Sequence, residues 1–273
     1  MLSAVPVERL ASLDDPRLAD YLHLREASRR MRIERERGIF TVEGRLSVEA
    51  LVASTYAVRS ILVAEEHVAR IAALLPADAP IYALPSAAIE EVTGVHFHRG
   101  VLAVAERPEL PPVPDLVTGA SRVLVLEGIN DHENIGALFR NAAAFGVEAV
   151  VLDPTTADPL YRRSTRVSLG HVLRVPFARP SAAEWPGTLP LLQGLGFAVL
   201  ALTPDLAAEP IGRLAADPPA RVALLLGAEG RGLTPAALAG SDRLVRIPMA
   251  PGVDSVNVAT AAAIALSSLH GAT

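Results

Sequence analysis

The feature that most constrains this chain is a series of nearly unbroken apolar runs in its second half. They fall at residues 122–129, 147–152, 197–203, 221–227 and 243–247. A strand covered on one face alternates apolar and polar residues, whereas a strand covered on both does not. Runs of this kind therefore predict a parallel sheet with helices on each side. Helical patterns at 134–145, 188–195, 234–239 and 255–269 supply those helices. In such sheets ligands bind beyond the carboxyl ends of the strands. Polar, glycine-bearing loops stand at three of those ends, residues 128–136, 227–233 and 248–257, and their coincidence marks a site.

The first half reads as a smaller α/β sandwich. Strands are expected at "FTVEG" (40–44), "RSILVAE" (59–65), "PIYALP" (80–85) and "GVLAVAE" (100–106). A charged helix is expected over 17–36, with others at 45–54, 66–75 and 86–92. Between the halves, "RPELPPVPDLVTGA" (107–120) holds four prolines and no apolar periodicity. Proline fixes φ and lacks a donor, so this segment reads as a semi-rigid linker. The expected boundaries are a domain over 1–106, a linker over 107–119 and a second domain over 120–273.

Several classes are excluded or disfavoured. No segment reaches the roughly 18 apolar residues a membrane span needs. Met1–Leu13 carries Glu8 and Arg9 where a signal peptide has a basic start and an apolar centre. Without cysteine there is no thiolate metal site or cysteine nucleophile. A cytoplasmic protein without membrane contact is the expectation. The net charge of −5 argues against a generally basic nucleic-acid binder. Yet all 25 basic residues are arginine, suited to bidentate phosphate contacts, and they cluster. Arg25, Arg29, Arg30, Arg32, Arg35 and Arg37 form one group, and Arg162, Arg163 and Arg166 another, with Arg174 nearby. The alternative for residues 25–37 is a solvated helix face with internal Glu–Arg pairs.

Each strand-end loop carries candidate chemistry. In "GINDHENIGALFRNAAAFG", Asn134 is a good N-cap and Gly136 and Arg140 share one helix face. No second histidine lies at ligand spacing from His132, so no metal is expected. In "LLLGAEGRGL" (224–233), Gly227, Gly230 and Gly232 permit tight turns, and Glu229 can accept hydrogen bonds. The dinucleotide fingerprint G-x-G-x-x-G is absent, which disfavours an oxidoreductase, and no Lys-Ser/Thr follows to make a P-loop. In "IPMAPGVDSVNVATAAAIAL" (247–266), Asp254 or Ser255 can cap a helix that begins near Asn257. The alanines of that helix suit either core packing or a subunit contact.

Taken in order, these motifs resemble the SpoU (TrmH-like) branch of the SPOUT RNA methyltransferases. The resemblance runs through Asn130, Asn134, Gly136 and Arg140, then Gly227, Glu229, Gly232 and Leu233. It continues through Ile247, Pro248, Met249, Ser255, Asn257 and Val258. "RRSTRVSLGHVLRVPF" (162–177) is similar to the family's segment between its first and second motifs. Through "RERGIFTVEG" and "HRGVLAVAE", the first half resembles the L30e-like RNA-binding domain found in this family.

The resemblance implies methyl transfer from S-adenosylmethionine to a ribose 2′-hydroxyl of RNA. It also implies a homodimer through the C-terminal domain and a trefoil knot there, against the general rule that chains do not thread. It assigns catalysis to Arg140, with Asn134, Glu229, Ser255 and Asn257 fixing Arg140 and the RNA. Free arginine is a very weak base that stays protonated at neutral pH. Arg140 thus acts either as an unusually perturbed base or as the group that orients the hydroxyl and a phosphate. Leu226, Gly227, Gly232, Ile247, Met249 and Val256 are expected at the cofactor. Arg29, Arg30, Arg37, Arg162, Arg163 and Arg166 are expected at RNA phosphates. Ribosomal RNA is the favoured substrate because of the accessory domain, and transfer RNA stays open. A catalytically silent RNA-binding protein of the same fold is the competing reading, which the intact motif residues oppose. One departure stands out: the family's Ser-Leu-Asn-Val-Ser is here Ser255-Val256-Asn257-Val258-Ala259.

Overall fold

The computed structural model describes residues 7–71, 79–96, 100–214 and 218–270. After a short strand, β1 (Val7–Arg9), the helix expected over 17–36 is broken in two. Asp15 accepts from the Arg17 N–H and Pro16 opens a 3-10 turn that ends at Tyr21. Leu22 is then extended and His23 has φ 61°, which no continuous helix tolerates. A new helix, α1 (Ala27–Arg37), ends at Gly38, whose left-handed backbone donates to Arg35 and Glu34 carbonyls. There follow β2 (Ile39–Glu43), α2 (Arg45–Val52), β3 (Val58–Ala64), α3 (Val68–Ile71), β4 (Ile81–Leu84), α4 (Ser86–Thr93) and β5 (Val101–Glu106). Part of the helix expected over 66–75, and His98 and Arg99 of "HRGVLAVAE", lie outside the described residues.

The chain continues through α5 (Val113–Val117), β6 (Arg122–Glu127), α6 (His132–Ala144), β7 (Ala149–Leu152), α7 (Arg162–Val167) and β8 (Phe177–Ala178). It ends with α8 (Thr188–Gly194), β9 (Ala198–Leu202), β10 (Glu209–Pro210), α9 (Ile211–Leu214), β11 (Val222–Gly227), α10 (Pro235–Ala239), β12 (Arg243–Arg246) and α11 (Val258–Leu269). No helix among the described residues is long and apolar enough to cross a membrane.

These elements form two units whose boundaries differ from the expected ones. The first comprises Met1–Glu109 with Leu160–Arg174, and the second Leu110–Pro159 with Val175–Thr273. Nor is the proline-rich stretch only a linker. Pro112 and Pro114 start α5, and Val113 and Val117, one helical turn apart, are buried in the second unit's core.

The first unit holds a mixed sheet in the order β1-β4-β3-β5-β2. β3 runs parallel to β4 and antiparallel to β5, which also pairs antiparallel with β2. Leu18, Tyr21, Leu24, Leu62, Leu84, Ile89 and Leu102 fill one core layer. The buried Tyr21 hydroxyl meets Ser60 Oγ at 2.7 Å, so the phenol is satisfied where it is desolvated. Residues 160–174 pack on α2 and β2. A Cβ on Gly170 would lie 2.4 Å from Ala50 Cβ, and Ser47 Oγ donates to the Thr165 carbonyl at 3.3 Å.

Arg30 corrects the expectation that it reaches RNA. Its side chain is 1% exposed, and it donates to Glu34 Oε1 at 2.9 Å and to the Leu22 carbonyl at 3.2 Å. Thr41 Oγ1 donates to the same Glu34 oxygen at 2.7 Å. Burial pushes the Glu34 carboxyl above its ordinary value despite Arg30 and Thr41. Arg30 therefore balances a buried charge. Arg30→Ala is expected to cost about 3–5 kcal/mol by stranding that charge. Arg29→Ala, on the exposed face, should stay within about 0.5 kcal/mol. Urea midpoints of the two variants check this.

The second unit holds a seven-stranded sheet in the order β10-β12-β9-β11-β6-β7-β8, parallel at every pairing. The apolar runs form its centre: Leu124, Val125, Val150, Val151, Leu200, Leu224 and Leu225 are fully buried. Helices α6 and α11 lie side by side and run in the same direction. Asn134 and Asn257 meet at their starts, and the His270 ring lies 3.1 Å from the Phe145 carbonyl at their ends. Asn141 Nδ2 donates to the Ala259 carbonyl between them.

Candidate active site

The site grows from the ends of β6 and β11, where Glu127 sits opposite Gly227 in the parallel register. The chain leaves β6 through Gly128, whose φ of 70° suits glycine. The Gly128 N–H donates to Asp153 Oδ1 at 3.0 Å, and Ile129 N–H donates to Thr156 Oγ1 at 3.3 Å. Burial pushes the Asp153 carboxyl up, but hydrogen bonds from Thr155, Thr156 and Gly128 outweigh it and leave it below its ordinary value. Arg179 clamps the same turn by donating to the carbonyls of Asp153, Thr156 and Ala157. The loop that begins α6 is thus fixed from behind.

Asp131, not Asn134, caps α6, accepting from the Glu133 N–H at 2.8 Å. An earlier cap lets the helix start at His132 and places Asn134 inside the first turn, buried. Asn134 is thereby available for a longer contact.

At the end of β11 the loop folds back on itself. Gly232 N–H donates to the Ala228 carbonyl at 2.9 Å, and Gly230 and Gly232 have φ of 80° and 66°. A Cβ on Gly227 would lie 2.4 Å from both Gly232 C and Leu233 N, so only glycine fits. Glu127 clasps the far end of this loop. Its carboxylate accepts from Thr234 N–H at 2.9 Å and from Thr234 Oγ1 at 3.0 Å. Thr234 in turn caps α10.

Asn257, rather than Asp254 or Ser255, caps α11. Its Oδ1 accepts from the N–H groups of Ala259 and Thr260 at 3.0 and 3.2 Å. Its Nδ2 donates to Asn134 Oδ1 and to Glu229 Oε1, each at 2.8 Å. Glu229 Oε1 also accepts from Val258 N–H at 3.4 Å. One side chain therefore ties together residues from all three loops. The Ala259 departure leaves this arrangement whole, because Ala259 contributes backbone groups only, its N–H to Asn257 and its carbonyl to Asn141.

Beside this cluster lies a cavity of about 490 Å³, the size of a small-molecule site. Leu226, Gly227, Gly232, Ile247, Met249 and Val256 all line it, as do Glu229, Ser255 and Asn257. Leu202, Thr203, Pro204 and Asp254 also line it. The end of the 197–203 run was the sequence signal for the first of these. Apolar side chains from Leu202, Leu226, Ile247 and Met249 suit a purine and its sugar. Backbone groups of the glycine-bearing loop can approach such a ligand closely.

Arg140 is not part of the cluster. It lies six residues beyond Asn134 on α6, exposed, with no hydrogen bond or ion pair among the described residues. Six residues are about 600° of helix rotation, so the two side chains leave on different faces. Of the arginines expected at RNA, Arg29 and Arg37 are exposed and paired with Glu26 and Asp20. Arg163 is exposed. Arg162 and Arg166 both pair with Glu43, and Arg162 is largely buried. Among the described residues no group of three or more His, Cys, Asp or Glu side chains is placed to hold a metal ion.

Comparison with known proteins places this arrangement. The chain is 46% identical over 261 residues to an uncharacterized tRNA/rRNA methyltransferase of Mycobacterium tuberculosis, covering 95% of this chain and 90% of that one. It is 30% identical over 232 residues to a Bacillus subtilis 23S rRNA (guanosine(2553)-2′-O)-methyltransferase, covering 85% and 88%. The crystal structure of an AdoMet-bound rRNA methyltransferase from Sinorhizobium meliloti superposes with a TM-score of 0.80 at 25% identity, covering 96% of this chain and 97% of that one. The model of the SpoU rRNA Methylase family matches residues 121–267, which span all three loops. The chain belongs to the SpoU rRNA Methylase family.

Proposed function

We propose that the protein methylates a ribose 2′-hydroxyl of ribosomal RNA with S-adenosylmethionine, in the cytoplasm. The observation that carries this reading is the hydrogen-bonded set Asn134–Asn257–Glu229 at the wall of the 490 Å³ cavity. Leu226, Gly227, Gly232, Ile247, Met249 and Val256 would hold the cofactor, which when bound supplies a methyl group activated by a sulfonium. Asn257 and Glu229 hold the rim of the cavity rigid, because the Asn257 side-chain amide makes all four of its hydrogen bonds within the chain. Arg140 orients the 2′-hydroxyl and a neighbouring phosphate, or removes the proton. Transfer forms the oxygen–methyl bond, breaks the sulfur–methyl bond and releases the hydroxyl proton.

The exposed position of Arg140 fits a site completed by a second copy of the chain. Ile264, 39% exposed on α11, and the small residues Ala137 and Ala144 on α6 offer the surface for a homodimer. A trefoil-knotted passage through this unit belongs to the same reading. Residues 1–106 serve as the L30e-like RNA-binding domain, with Arg29 and Arg37 as exposed phosphate contacts, joined by Arg163 of the 160–174 segment. Arg162 and Arg166 join them only by leaving Glu43.

The test is methylation of purified RNA by the purified protein, followed by mapping of 2′-O-methyl positions. The expected product is one ribose-methylated position in ribosomal RNA, seen as resistance to alkaline cleavage. Methyl groups on bases, or on transfer RNA alone, would replace this reading.

A further inference from the structure

Among the charged residues at the cavity, one has no task. Glu229 is committed to Asn257 and Val258. The first N–H groups of α11 are all taken as well: Val258 by Glu229, Ala259 and Thr260 by the Asn257 side chain, and Ala261 by the Asn257 carbonyl. The helix terminus therefore offers no open donor to an anion. The lining contains no lysine, arginine or histidine. What it does contain is Asp254, exposed at the mouth, with no hydrogen bond or ion pair among the described residues.

We propose that Asp254 is a specificity residue that takes the ammonium group of the cofactor's amino-acid tail. The inference rests on the S-adenosylmethionine reading of the cavity. The tail carries one ammonium and one carboxylate. The lining can pair the first through Asp254, and it offers the second only neutral donors, the hydroxyls of Thr203 and Ser255 among them. The adenosine end goes to the apolar wall of Leu202, Leu226 and Ile247. Asp254 thus selects ligands for the positive charge of the tail.

Calorimetry with the full-length protein tests this through dissociation constants. Three probes are compared: S-adenosylhomocysteine, which keeps the whole tail; decarboxylated S-adenosylhomocysteine, which keeps only the ammonium; and 5′-methylthioadenosine, which has neither group. Asp254→Asn is expected to weaken the first two by roughly twofold to fivefold, the upper range of a solvent-exposed ion pair. It should leave 5′-methylthioadenosine unchanged, and Asp254→Glu should restore part of the loss. Equal weakening of all three probes, or no change in any, overturns the assignment. Failure of the wild-type protein to bind any probe would instead overturn the cofactor reading itself.

Discussion

Replacing Arg140 with alanine is expected to lower kcat by roughly a hundredfold to a thousandfold, the cost of removing one group aimed at transition-state charge. The variant should fold normally, because Arg140 is exposed and makes no hydrogen bond or ion pair among the described residues. It should bind the cofactor as the parent does, since Arg140 does not line the cavity. Single-turnover methylation alongside calorimetry separates these terms. Normal turnover by Arg140→Ala would remove the residue from the mechanism. A pH profile divides its two possible roles. A base that is protonated at neutral pH gives a rate rising about tenfold per pH unit. An orienting cation contributes no such slope, and Arg140→Lys then recovers little, because an ammonium lacks the planar fork.

Gly227→Ala is the second large expected effect, and it acts on binding. The added Cβ would meet the Gly232 and Leu233 backbone at 2.4 Å. Backbone cannot rotate aside as a side-chain tip can, so the 228–232 turn must move and carry Glu229 with it. Overpacking of this kind costs about 1–3 kcal/mol. Expressed as cofactor affinity, that is a loss of roughly tenfold to a hundredfold. Gly230→Ala is the matched control. Its Cβ meets nothing within 4 Å, and its burden is the φ of 80° alone. An equal loss in both variants would mean that the turn responds to backbone strain and not to the collision at Gly227.

The sheet of the second unit was legible because its signal is local and strong. Five continuous apolar runs became β6, β7, β9, β11 and β12. The apolar runs also placed the three strand-end loops, which converge beyond the sheet, while the individual cavity-lining residues came from the resemblance to the SpoU family. The caps were misplaced, and for one reason. Asn134, Asp254 and Ser255 are all competent caps by residue type. Asp131 and Asn257 take those places, and Asn134 is free because it contacts a helix that lies far away in sequence. Arg30 shows the same limit. Its partners include Thr41, on the next strand, and only the packed unit reveals that the pair with Glu34 is buried. Glu127 had a signal that passed unused: a single acid ending the run "VLVLE" across the sheet from a glycine turn. The joining of residues 160–174 to the first unit had none, because it depends on the close approach of Gly170 to Ala50.

The bonding of Asn257 also bears on how this enzyme ages. Its amide accepts two hydrogen bonds through oxygen and gives two through nitrogen, so it has one workable orientation. Hydrolysis of that amide exchanges one NH₂ group for an oxygen and alters the shape hardly at all. It would nonetheless set a new carboxylate against the carboxylate of Glu229 and the carbonyl oxygen of Asn134. Acceptors would face acceptors at 2.8 Å where donors had stood. A preparation could then lose its working site while its melting curve and spectrum of secondary structure stay nearly the same. The chemical integrity of a single amide is thus a requirement separate from the stability of the fold.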